Sequence, residues 1–449
     1  MERKIYQRLK QWKEEGGRTA LLIDGARRVG KTHIALEFAK REYKTFLFID
    51  FNRAGSAVKT LFNEGLEDLD TFFATLSALY NVRLYRRESL VVFDDVQLFP
   101  RARAAIKYLV EDGRFDYLET GSLMSIKRNV RDIVIPSEEE HVRMFPMDFE
   151  EFLWALGYET LMPFIQECFA SKRALGQALH RKAMDIFRQY MIVGGMPQVV
   201  DDFARNRDFA LADRVKRTIL DLYRADIAKH AVGYETRVRS IFEEIPSQLQ
   251  KHEKKFRLSS LKKEARFRDY KDALFWLDDA MVINTCYNST EPNVGLNLSS
   301  ERTTLKCYMA DTGLLLSHAF DEKAIVSQGI YPQLLFEKLE INKGMLVENI
   351  VAQMLAASNH KLYFYSNSSR EDAASRMEID FLIAGSTLSS RHNISPIEVK
   401  SGKNYTLSSL KKFMSKYAGM LQTPYVVHPR DMREEGGIVF LPYYMVPCL

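Results

Sequence analysis

Gly25-Ala26-Arg27-Arg28-Val29-Gly30-Lys31-Thr32 fits the pattern G-x-x-x-x-G-K-[ST], and that spacing serves the binding of a phosphate chain. Glycines let backbone N–H groups turn inward around an anion, and a helix starting near Lys31 aims its positive end at the same point. Lys31 would reach the β- and γ-phosphates, and Thr32 would place its hydroxyl on Mg²⁺. With the adjoining His33, residues 25–33 form the candidate nucleotide loop. A turn of the same composition that binds nothing is the alternative.

A second set of chemically apt residues ends the run Ser89-Leu90-Val91-Val92-Phe93-Asp94-Asp95. One carboxylate at the end of a buried strand can hold the Mg²⁺ shell, the role read for Asp94, while the next polarises water, the role read for Asp95. A solvated turn would also carry two acids. Thr120, in Thr120-Gly121-Ser122, is a candidate γ-phosphate sensor or, equally, a turn cap. A third set is Glu348, Asp380, Glu398 and Lys400. Residues two apart on a strand share a face, so Glu398 and Lys400 point together, with Asp380 on a neighbouring strand and Glu348 on the preceding helix. A surface ion pair with unrelated acids nearby is the alternative.

These residues need a scaffold. Leu21 to Asp24 reads as a central strand, and Ile34, Ala35, Phe38 and Ala39 recur at helical spacing behind the loop. Strands at 45–51, 89–95, 115–122 and 141–145, with helical periodicity over 57–80, predict a parallel sheet covered on both faces. From Glu151 to Ala231 the pattern is helical, broken at Gly194-Gly195-Met196-Pro197. Residues 235–310 read as helix, helix, helix, strand, strand, a winged-helix order, with Ser259 and Ser260 capping the second helix. The last segment alternates strands at 378–384, 395–400, 424–428 and 437–442 with a helix at 407–417.

The chain of 449 residues is too long for one ordinary core, and 46% hydrophobic content is that of a globular protein. A net charge of +5 permits a nucleic-acid partner without requiring one. From Lys251 to Lys271 nine Lys or Arg face three Asp or Glu, interleaved with Phe256, Phe267 and Tyr270. That is the footprint of phosphate-backbone contact, and equally of a solvated face or a protein-docking module. Cys168, Cys286, Cys307 and Cys448 are too scattered for a zinc site. No apolar leader and no membrane-length apolar run is visible, so a cytoplasmic protein is expected.

Gly25–Thr32, Asp94-Asp95-Val96-Gln97, Thr120-Gly121-Ser122 and the Phe145–Leu153 segment together resemble the AAA-type ATPases of bacteria and archaea that carry a C-terminal domain of unknown function. Gly194–Pro197, Tyr223–Ile227, Lys306–Leu314 and Ile397–Gly402 extend the resemblance over nearly the whole chain. It implies an α/β multidomain protein: a P-loop ATPase domain at 1–150, a helical connector at 151–231, a winged-helix-like domain at 232–325 and a restriction-endonuclease-like domain at 326–449. It also implies ATP and Mg²⁺ as ligands and raises homo-oligomers; Arg143, Arg181, Arg188 or Arg224 would reach a γ-phosphate in cis or across a subunit boundary, or are solvated surface arginines. Such families carry Asp-Glu where this chain has Asp94-Asp95, one methylene shorter. Two functions follow: a Mg²⁺-dependent ATPase coupling nucleotide state to a partner- or DNA-binding module, or an ATP-dependent switch that barely hydrolyses.

Overall fold

The computed structural model describes residues 1–122, 133–251, 254–293, 295–320, 343–367, 376–385, 394–402 and 404–449. The chain divides into two bodies, one of residues 2–145 with 279–281, the other of Met1 with 146–278 and 282–449.

In the first body five segments become strands, the three central ones buried on both faces by the helices that connect them and the edge segments at 45–50 and 139–144 buried only in part. They are β1 (Ala20–Gly25), β2 (Thr45–Asp50), β3 (Ser89–Asp94), β4 (Asp116–Gly121) and β5 (Glu139–Met144). All pair in parallel, in the order β2-β3-β4-β1-β5. Helices α1 (Ile5–Glu14) and α2 (Lys31–Glu42) cover one face through Leu9, Trp12, Ile34 and Phe38. The other face is an aromatic cluster in which Phe51, Phe62, Phe72 and Phe93 meet edge to face. It is closed by α3 (Ser56–Glu64), α4 (Leu69–Tyr80) and α5 (Pro100–Asp112). The helical stretch expected over 57–80 is thus two helices. Asp68 ends the break by accepting the backbone N–H groups of Asp70 and Thr71, an N-cap that favours a fresh start over continuation.

The second body opens with α6 (Phe149–Ala155), α7 (Leu161–Ala170), α8 (Gln177–Val193), α9 (Pro197–Asn206), α10 (Phe209–His230) and α11 (Glu235–Gln250). Asp148 and Glu151 form a capping box at the first of these, and Pro197 starts α9 at the position where its missing N–H costs nothing. The winged-helix order is only partly realised. Between α11 and α12 (Phe267–Asp279) there is a single 3₁₀ turn, Leu258–Ser260, with no side-chain cap, because none of its residues is buried and it has no face to pack.

The two strands expected as a wing, β6 (Ile283–Ser289) and β7 (Ser300–Met309), have a different setting. They continue a mixed eight-stranded sheet, in the order β12-β13-β11-β10-β9-β8-β6-β7. Its other members are β8 (Tyr363–Asn367), β9 (Met377–Ala384), β10 (Ile394–Val399), β11 (Tyr425–His428), β12 (Arg433–Glu435) and β13 (Ile438–Pro442). With β6 hydrogen-bonded in parallel to β8, the segments expected at 232–325 and 326–449 share one sheet. The boundary between them falls outside the described residues. Helices α13 (Thr312–Ala319), α14 (Lys343–Ala357) and α15 (Ser408–Lys416) complete the body.

One buried carboxylate ties the helices to this sheet. Asp311 caps α13 by accepting from Leu314 N–H at 2.8 Å and also accepts from Gly195 N–H at 2.5 Å. The approach is so close that a Cβ on Gly194 would stand 2.3 Å from Asp311 Oδ1, and one on Gly313 2.3 Å from the Val193 carbonyl oxygen. The glycines at Gly194-Gly195 and Gly313 are therefore packing requirements. Asp311→Ala leaves two buried N–H groups without acceptors and is expected to cost ~3 kcal/mol. Urea unfolding checks this; an unchanged midpoint would remove Asp311 from this role.

Candidate functional site

At the carboxyl end of β1 the chain turns through Ala26 to Gly30 into α2. Gly30 has φ 102° and Arg28 φ 70°, left-handed conformations that are strained for arginine and accumulate where a ligand is held. Gly25 cannot be replaced cheaply, since a Cβ would lie 2.5 Å from the Met144 carbonyl oxygen. Lys31, 8% exposed, bends back over the loop and donates to the carbonyls of Gly25 and Ala26 at 2.8 and 2.9 Å. The Arg27 and Arg28 side chains are exposed, as is that of His33, which stands beside Glu37.

Strand order determines what lies opposite. Because β4 runs between β1 and β3, its end reaches both the loop and the acid pair, at the carboxyl edge where α/β sheets bind ligands. Asp94 Oδ1 accepts two hydroxyls, Thr32 at 2.8 Å and Thr120 at 2.5 Å. Thr120 also accepts Asp95 N–H at 3.2 Å. Thr120 is fully buried, and its hydroxyl holds the acid pair. Asp95 sits in a left-handed turn, φ 53°, with its carboxylate accepting from Gln97 Nε2 at 3.1 Å. Asp50, absent from the sequence reading, ends β2 in register with Asp94. The carboxylates of Asp50, Asp94 and Asp95 each place an oxygen within 4.8 Å of the others, and among the described residues this is the one such group of metal-ligating side chains. The signal was available: two adjacent strands of the set both end in aspartate.

The electrostatics fit a phosphate and a divalent cation. Burial pulls the Lys31 ammonium down to about 8, against the pull of Asp95, Asp24 and Asp94; its hydrogen-bond acceptors here are neutral carbonyls, and an anion beside it would favour its charged form further. Burial raises Asp94, while the hydroxyls of Thr120 and Thr32 work to keep it ionised.

In the second body, Glu348 on α14, Asp380 on β9, and Glu398 with Lys400 on and just after β10 come together, but around another side chain. Lys306 of β7, 1% exposed, lies 2.9 Å from Glu378, 3.2 Å from Glu348 and 3.7 Å from Asp380. Glu348 also accepts from Tyr308 OH at 2.5 Å and pairs with Lys254. Asp380 accepts Val399 N–H at 2.8 Å, and Lys400 donates to Glu398 at 2.6 Å. Burial alone would push Glu348 up, but Lys306 and Lys254 outweigh it and hold the carboxyl at about 2. Burial and the neighbouring Asp380 push Glu398 up to about 8. Lys306, Lys254, Tyr308 and Glu378 were not singled out from sequence as members of this centre. A lone lysine inside Leu305–Met309 was the available signal.

The basic stretch divides on inspection. Phe256 and Tyr270 are buried and belong to the core, and Lys254 is committed to Glu348. Lys262, Lys263, Arg266, Arg268 and Lys271 are exposed. Of the four arginines considered for phosphate, Arg188 pairs with Asp185 and Arg224 with Asp221 and Glu243. Arg181 is exposed on α8, and Arg143 lies on β5 in register with Asp24.

A phosphate loop, an acid pair at the end of a buried strand and a third strand between them are the arrangement of a P-loop ATPase-like α/β domain. Residues 17–153 match the family model described as an AAA domain. Two further matches follow it, residues 184–324 to a domain of unknown function, DUF8612, and residues 343–446 to another, DUF4143. No curated protein matches the chain. Among solved structures, a Walker-type ATPase of Pyrococcus abyssi is similar at 15% identity and TM-score 0.41, covering 71% of this chain and 95% of that one. The ORC1 protein of Aeropyrum pernix in complex with DNA is similar at 12% identity and TM-score 0.29, covering 73% and 94%. Cdc6p of Pyrobaculum aerophilum is similar at 13% identity and TM-score 0.25, covering 75% and 95%. Among the described residues no helix is long and apolar enough to cross a membrane.

Glu398 gives this body a pH dependence. Its folded value of about 8 lies above the ordinary 4.5, so the folded state keeps a proton that the unfolded chain releases. The stability it contributes is complete below about 4.5 and is lost as pH rises through about 8. Glu398→Gln mimics the protonated form, and its stability relative to the parent should rise with pH across that window. Urea titrations at a series of pH values test this; a difference that does not change with pH would contradict it.

Proposed function

We propose that residues 2–145 bind Mg·ATP between the loop at residues 25–33 and the acids Asp94 and Asp95, and hydrolyse it through Asp95. The observation that carries this reading is the double hydroxyl contact on Asp94, which joins the loop helix to the end of β4 across the acid pair. Lys31 would exchange its carbonyl partners for the β- and γ-phosphates. Thr32 and Asp94 would hold the Mg²⁺ shell, with Asp50 close enough to join it through water. Mg²⁺ would supply neutralisation of phosphate charge. Asp95, steadied by Gln97, would orient and deprotonate the attacking water.

A second reading, a switch that binds ATP and barely turns it over, is favoured by the short reach of Asp95 and its tie to Gln97. High affinity with negligible turnover in the parent would select it. In either case Lys31→Ala should weaken ATP binding about 100-fold, ~3 kcal/mol, measured by calorimetry. Unchanged affinity would overturn the loop assignment. Under the ATPase reading Asp95→Asn should lower turnover about 100-fold or more while sparing affinity; equal turnover would exclude Asp95 as the base.

Nucleotide state would be read out by the second body, as a docking module for DNA or a protein. Its run α14, β8, β9, β10, α15, β11 follows the order helix, three antiparallel strands, helix, parallel strand, which supports a restriction-endonuclease-like fold. The exposed Lys262, Lys263, Arg266, Arg268 and Lys271 support nucleic-acid docking. On that account affinity for DNA falls steeply with salt, and reversing charge at Lys262 and Lys263 lowers the slope of log affinity against log salt by about one to two units. Salt-independent binding, or none, would assign this face to a protein partner.

A further inference from the structure

The carboxylates of the second body raise a question of occupancy. A restriction-endonuclease-like centre implies a divalent cation held by acids such as Asp380 and Glu398, so the residues present must be tested against that ion. They do not fit it. Mg²⁺ is held by one or two carboxylates with water completing its shell, so those carboxylates must be open to it; here Glu348 and Asp380 face a buried ammonium, and among the described residues only Asp50, Asp94 and Asp95 of the other body bring three ligand atoms within 4.8 Å.

What the acids do converge on is an ammonium. Lys306 Nζ stands 2.9, 3.2 and 3.7 Å from Glu378, Glu348 and Asp380, and 5.0 Å from the centre of the Phe364 ring. Other oxygens of the group are engaged as well. Glu348 is shared with Lys254 and Tyr308, Asp380 takes Val399 N–H, and Glu398 takes Lys400. One buried oxygen, Glu398 Oε2, has no hydrogen-bond partner, a lone acceptor where a metal centre needs several. A divalent ion entering here would meet Lys306 at contact range in a medium that screens charge poorly.

The ammonium is also fixed in place. Lys306 stands opposite Cys286 in the β6–β7 ladder, which holds its backbone, and its side chain is buried. Lys254 reinforces it from the loop before the 3₁₀ turn, donating to the Gly344 carbonyl at 3.1 Å as well as to Glu348. Both lysines come from the segment upstream of the carboxylates they neutralise.

We propose that Lys306 takes the place of the divalent cation in this centre, so that the restriction-endonuclease-like half of the chain is a metal-free ion-pair core that does not cleave phosphodiesters. The inference rests on the restriction-endonuclease-like reading of that half, and it makes the half a binding scaffold.

The test counts Mn²⁺ ions bound by the full chain, using electron paramagnetic resonance, with Asp94→Asn in every sample to silence the acids of the first body. The parent should bind none through Asp380. Lys306→Met should gain one equivalent of Mn²⁺, which Asp380→Asn then removes, and Mn²⁺ should raise the melting temperature of Lys306→Met but not of the parent. Should that variant fail to fold, Lys306→Met/Glu378→Gln removes one charge of each sign, leaves Glu348, Asp380 and Glu398 in place, and should gain the same ion. Mn²⁺ bound by the parent and lost on Asp380→Asn would overturn the inference while leaving the nuclease-like reading standing. A folded Lys306 variant that gains no ion would overturn both.

Discussion

Taking an ammonium out of water costs several kcal/mol unless negative charge or strong dipoles meet it, and each body of this chain is organised around one such group. The two are met in opposite ways. Lys31 donates to two carbonyls of its own loop, and burial dominates, pulling it down to about 8. Lys306 is ringed by Glu348, Glu378 and Asp380, which hold it well above its ordinary value despite complete burial. The first is a cation short of negative charge and so receptive to an anion. The second is saturated. The same physics that reads one as a ligand site reads the other as closed.

That difference explains how much the sequence disclosed. The loop at Gly25–Thr32 was legible because its function is local: glycine conformation, helix start and lysine lie within eight consecutive residues, and the strand that precedes them is an uninterrupted apolar run. Asp94 and Asp95 were legible for a similar reason, as the end of a strand. Asp50 and Thr120 acquire their roles from strand order, because the placing of β2 and β4 on either side of β3 brings their ends to the β3 carboxylate, while Gln97 reaches Asp95 from two residues along the chain. Sequence pattern predicts strands better than their neighbours. In the second body the four residues Glu348, Asp380, Glu398 and Lys400 were found by their spacing, yet the side chain at their centre comes from a strand assigned to a different module.

The same limit explains the winged-helix expectation. Helix, strand and strand are present in α12, β6 and β7, but a wing that is free and a hairpin that edges a larger sheet have the same alternation. What separates them is whether the hairpin's first strand finds a partner beyond the hairpin, and Tyr287 and Asn288 find one in Tyr363 and Phe364. Likewise Ser259 and Ser260 are good caps only for a helix with a face to bury. The Gly194-Gly195 motif reads as a break between helices in sequence, and the structure gives it, with Gly313, another cause in the close packing around Asp311.

The continuous sheet has a consequence for inheritance. Matches to two separate families meet on either side of the β6–β8 pairing, one supplying Lys254 and Lys306 and the other supplying Glu348, Glu378 and Asp380. A gene fusion or truncation that carried the later segment alone would leave the edge of β8 bare and a group of interior acids without counterions. The two stretches therefore depend on each other for a finished core, and on the ribosome the earlier hairpin must wait for β8 to emerge before it has a partner.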